Sequence, residues 1–142
     1  MQVDFYQLGR DPLASVLARI ATRVLAGGGR LLVVTGDEAQ AAALDGALWT
    51  ASPDSFLAHG RAGNDQPVLI STVIEPTNAA RHVALIDGVW RDAATAFERA
   101  FHFFDDRSID VARAAWRDLS GRDAVETRYW RQDESGRWTQ VA

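Results

Sequence analysis

The sequence predicts an α/β fold. The expectation is one Rossmann-like domain over residues 1–142, with a mostly parallel central sheet, helices on both faces and a C-terminal β-hairpin. Three observations carry this. Short apolar runs alternate with amphipathic helical patterns through the first fifty residues, the signature of βαβ units. Leu31–Thr35 is apolar without alternation, as expected of a parallel strand covered on both sides. Near the end, two runs of mixed polar and apolar residues flank Asp133-Glu134-Ser135-Gly136, which has turn chemistry.

The elements follow in order. Val3–Leu8 reads as the first strand, with Val3 and Phe5 alternating against Asp4. Asp11-Pro12 opens a helix, with Asp11 as the cap and Pro12 in the first turn. Leu13, Val16, Leu17, Ile20 and Val24 line one face of it, and Gly27–Gly29 end it. After the strand Leu31–Thr35, Gly36-Asp37 turns into a second helix over about residues 38–50, with Ala41, Leu44 and Leu48 as its stripe. From Ala51 to Pro67 periodicity is lost and loop chemistry takes over. Val68–Ser71 and Val83–Ile86 read as short strands joined by a connection through residues 75–82. A short helix around Asp92–Glu98 and an aromatic strand, Ala100–Phe104, follow. Glu126–Arg131 and Arg137–Val141 form the hairpin.

Composition narrows the function. At 142 residues and 47% hydrophobic, the chain holds enough apolar material for a real core. A net charge of −4 argues against a broad grip on a phosphate backbone, but leaves room for a local basic site. With no cysteine there is neither a disulfide nor a thiolate metal site. All 15 basic residues are arginine, so a Walker-type or Schiff-base lysine is excluded. The N-terminus has no signal pattern and no apolar run reaches bilayer length, so a cytoplasmic, non-membrane protein is expected.

The most informative stretch is Asp106–Ser120. Ser108 suits the N-cap, Asp110 the first turn and Gly121 the C-cap. Ile109, Ala112, Trp116 and Leu119 form an apolar stripe. Arg113 and Arg117, four apart, share one edge beside Trp116. Paired guanidinium groups next to an indole suit a small ligand that is both anionic and apolar, such as a peptide C-terminus. A solvated helix flank with a buried tryptophan would read the same way.

Other motifs point away from catalysis. The Gly27–Gly29 run leaves a helix and enters a strand, the reverse of a phosphate loop. The true strand-to-helix turn, Thr35-Gly36-Asp37, lacks GxGxxG and carries a carboxylate that would repel phosphate. His59, His82 and His102 lie on separate elements without metal-ligand spacing, so no metal is expected. No serine sits in a GxSxG elbow, and the acid pairs fall in turns. No cofactor is expected. Trp49, Phe56 and His59 form an aromatic group that fits either a core plug or a partner surface.

Several segments together resemble the chi subunit of bacterial DNA polymerase III. They are FYQL near the start, DEAQAAALDGALWTASPDSFLAHG, AFERAFHFFD, VARAAWRDL and the ending RYWRQDESGRWTQVA, in that order. The resemblance implies a Rossmann-like fold without nucleotide chemistry and a non-catalytic role in the replisome. It implies two partners: the acidic C-terminal tail of single-stranded-DNA-binding protein, and the psi subunit of the clamp loader, with DNA reached only indirectly. Carried over residue by residue, the tail-binding arginine falls on Arg113, its aromatic neighbour on Trp116 and the next basic position on Arg117. Ile109 stands where some members carry a lysine, leaving Arg117 or Arg107 to replace that contact. The psi-facing aromatics fall on Trp49 and Phe56, with His59 nearby. The alternative is a small Rossmann-like nucleotide-binding protein or enzyme, with its ligand at the carboxyl ends of the strands. A third reading stacks single-stranded DNA on the five tryptophans, against the acidic charge balance.

Overall fold

Buried strands alternating with amphipathic helices assemble into an eight-stranded sheet in the computed structural model, which describes residues 1–51 and 57–142. The strands are β1 (Gln2–Gln7), β2 (Leu31–Val34), β3 (His59–Gly60), β4 (Val68–Ser71), β5 (His82–Leu85), β6 (Arg99–Phe104), β7 (Glu126–Gln132) and β8 (Trp138–Gln140). Their spatial order is β3-β4-β2-β5-β6-β1-β7-β8. All neighbours run parallel except the β7–β8 hairpin.

Helices cover both faces, as expected. On one side α1 (Leu13–Ala26) and α2 (Glu38–Ala51) pack on Leu31, Val33, Ile70, Phe101 and Phe103. On the other, α3 (Ile109–Ser120) and a 3₁₀ turn (Asp92–Ala96) pack on Phe5, Leu32, Val34, Leu85 and Phe104. All four residues of β2 are fully buried, which is why that run shows no alternation. No helix among the described residues is long and apolar enough to cross a membrane.

Four local expectations change. Asp11 does not cap α1: Pro12 is the N-cap residue, and the Asp11 carboxylate instead accepts bonds from Arg19 (2.6 Å) and Gln132 (2.8 Å). Ser108 does precede α3, but its hydroxyl makes no capping bond and lies 3.4 Å from the Asp105 N–H. The short helix expected over 92–98 is a 3₁₀ turn ending at Ala96. His59–Gly60, read as loop, is an edge strand paired with β4. The aromatic run before α3 is a full strand, and its residues 100–104 are all buried.

Asp4 fastens the middle of the sheet. It is fully buried, accepts a bond from Arg99 Nε at 2.7 Å, and accepts another from Trp130 Nε1 at 3.2 Å. One carboxylate thereby ties β1 to both of its neighbours, β6 and β7.

Candidate functional site

The site follows from how α3 lies along β7. Ala112 and Leu119 are fully buried, while Ile109, Ala115 and Trp116 pack half-buried against the second core. The Trp116 ring stands edge-on to Phe5 (5.3 Å) and to Tyr129 (5.6 Å). The indole is therefore held by the core along one side and leaves only part of its surface for a partner. At the far end of the helix, the Ser120 hydroxyl lies 3.2 Å from that of Thr127. These contacts set the edge carrying Arg113 and Arg117 over β7. Both arginines are exposed.

Tyr129 is the residue that sequence reasoning missed. Its hydroxyl donates to Gln7 Oε1 at 2.6 Å. Burial pushes that hydroxyl above its usual pKa, while the charges of Arg113 and Arg131 and a side-chain hydrogen bond from Arg113 oppose the shift. Arg113 and Arg131 thus both lie within electrostatic range of a half-buried phenol. The only signal in the sequence was alternation along Glu126–Arg131, which places Thr127, Tyr129 and Arg131 on one face of the strand.

Electrostatics set this edge apart. Among the described residues, no salt bridge engages Arg113, Arg117 or Arg131, whereas Arg107 pairs with Asp105, and Arg122 with both Asp92 and Asp118. Arg107 points away from this edge and lines a hollow at the strand ends. Ile109, the first residue of α3, presents no charge.

The second predicted patch lies at the opposite edge of the sheet. Trp49, on the last turn of α2, is 54% exposed, and its ring lies 4.3 Å from that of His59. His59 is buried beneath it, with Nδ1 2.8 Å from the Leu57 carbonyl and Nε2 3.2 Å from both the carbonyl and the carboxylate of Asp45. His59 thus supports Trp49 and offers little surface of its own. Phe56 lies outside the described residues.

The place where this fold would hold a nucleotide is built differently. A hollow of about 380 Å³ opens at the carboxyl ends of β1, β5 and β6, lined in part by Asp87, Asp105, Arg107 and Ser108. At the neighbouring start of α2, the Gln40 N–H donates to the Asp37 carboxylate at 2.7 Å, and Gln40 Oε1 accepts from the Gly36 N–H at 2.7 Å. Two of the donors at this turn are thus already engaged, one of them by an anion. Burial works to raise the pKa of Asp87, but a two-pronged bond from Arg91 (2.9 and 2.8 Å) and the Val89 N–H hold it below the usual carboxylate value. An ionised Asp87 adds to the repulsion. Among the described residues no group of three His, Cys, Asp or Glu could hold a metal.

The sheet has the doubly wound plan of nucleotide-binding folds, and its surface carries a cationic edge on α3 and an exposed tryptophan on α2. The chain belongs to the family of the DNA polymerase III chi subunit, HolC, whose model matches residues 1–126. The family is a non-catalytic accessory subunit of the polymerase. No curated protein matches the chain. The family match ends at the first residue of β7, so Tyr129, Arg131 and the hairpin lie beyond it.

Proposed function

We propose that the protein binds the acidic C-terminal tail of single-stranded-DNA-binding protein and links it to the polymerase III clamp loader. The observation that supports this best is that Arg113 and Arg131, which form no salt bridge among the described residues, lie near Tyr129, whose ring packs on Trp116. Such an edge offers charge-assisted donors and an apolar wall to a peptide ending in phenylalanine with a free carboxylate. Trp116 and Ile109 supply the wall, and Arg113 and Arg117 the charge.

The clamp-loader contact is assigned to the patch around Trp49, on which a psi-type partner would close. Exposed tryptophan over a buried, hydrogen-bonded histidine has the character of an interface anchor. A position on the opposite edge of the sheet allows both partners to bind together.

Fluorescence polarisation with a labelled acidic peptide ending in Asp-Ile-Pro-Phe tests the tail assignment. Arg113→Ala is expected to lower affinity by about 1–3 kcal/mol, the range for a lost charge-assisted contact. Added salt should weaken wild-type binding. Unchanged affinity in Arg113→Ala would remove this site. Trp49→Ala should leave tail binding intact while abolishing capture of psi.

A further inference from the structure

We infer that Arg131 on β7 joins Arg113 in gripping the tail's terminal carboxylate from a second element of the fold; this rests on the tail-binding reading above. The geometry comes from how α3 and β7 run past each other. Ser120 meets Thr127, and one turn earlier along the helix Trp116 meets Tyr129. Each helical turn of four residues advances about 6 Å, and each pair of strand residues about 6.7 Å. The next step therefore brings Arg131 level with Arg113 and the first turn of α3. Arg131 shares its face of β7 with Tyr129, because side chains two apart on a strand point the same way.

The surroundings suit this role. The electrostatic reach of Arg113 and Arg131 meets at the Tyr129 hydroxyl, between helix and strand. That hydroxyl is itself anchored to Gln7 at 2.6 Å. Arg131 is exposed and enters no salt bridge among the described residues, so its guanidinium is available to a ligand. Two guanidinium groups on different elements can each donate to one carboxylate oxygen, which a single flexible helix edge does less well. A ligand held this way is recognised as a chain end and not merely as an acidic stretch.

The test compares the free-acid peptide ending in Asp-Ile-Pro-Phe with its C-terminal amide, against the full chain. Arg131→Ala should weaken binding of the free acid about three- to fivefold, the upper part of the range for a solvent-accessible charge contact. Binding of the amide should change by less than about twofold. Arg137→Ala, which alters net charge equally just before the next strand, should leave both unchanged. Equal losses for acid and amide would reduce Arg131 to a general field effect and overturn the assignment. So would wild-type affinity in Arg131→Ala while Arg113→Ala loses binding, and in that case the tail reading itself survives. A wild-type chain that ignores the free-acid peptide would overturn both.

Discussion

Lowering the pH should destabilise this protein through one histidine. His102 is fully buried in β6, between Phe5, Trp90 and Phe104, and neither ring nitrogen has a hydrogen-bond partner. Burial drives its pKa down from 6.5 to about 4, with the Asp87 charge opposing and the Arg91 charge assisting. The unfolded chain therefore takes up a proton near pH 6.5 that the native protein refuses until about pH 4. Stability that is whole above pH 6.5 is lost as pH falls through that window. At about 1.4 kcal/mol per pH unit, the loss attributable to His102 reaches about 2.5 kcal/mol at pH 4.5. Urea unfolding of wild type and His102→Leu at pH 7, 6, 5 and 4.5 measures it. The His82 pKa is also lowered, first by burial and then by Arg99, but it is common to both proteins and cancels in the difference. The gap between the two stabilities should shift by about 2.5 kcal/mol in favour of the variant. A gap that stays constant to within about 0.5 kcal/mol would refute the reasoning, as would a native His102 that titrates near 6.5 by NMR.

Three further outcomes follow from packing. Gly88 has φ +78°, and an added Cβ would meet Ser108 Oγ at 2.5 Å, so Gly88→Ala should cost about 2 kcal/mol in urea unfolding, with partial recovery in the Gly88→Ala, Ser108→Gly double variant. Asp4→Ala strands Arg99 and the Trp130 N–H beside the core; since Arg99 keeps some solvent contact, a loss of about 3 kcal/mol is expected by the same measurement. Trp116→Ala empties a half-buried site between Phe5 and Tyr129 and should cost about 2–3 kcal/mol, whereas Trp116→Phe should restore most stability.

Much of the fold was legible because its signals are local. The unbroken apolar run of β2 reports burial on two faces, and the stripe of α2 coincides with the residues that helix buries; of the α1 stripe Val16, Leu17 and Ile20 are buried, Leu13 and Val24 stay half-buried, and Ala18 and Ala21 are buried in addition. The glycines after α1 mark a turn in which Gly28 takes φ +83°. What escaped is long-range. The carboxylate of Asp11 looks like a cap, but it is claimed by Gln132, which is 121 residues away. His59 sits among loop residues, and only pairing with β4 makes it a strand. The hairpin was visible, but not that β7 would lie parallel to β1 and beneath α3. Half of the candidate site was therefore readable on the helix. Tyr129 and Arg131 were not, since no periodicity records which strand a helix returns to.

The strand order has a mechanical consequence. Six strand steps separate β3 from β7, which at about 4.8 Å each sets the two patches about 29 Å apart on a stiff hydrogen-bonded slab. A slab of that width acts as a spacer: occupancy at one end neither crowds nor distorts the other. With no coupling free energy between the ends, the two proposed partners should each bind with unchanged affinity, and the protein holds them at a fixed separation while both are seated.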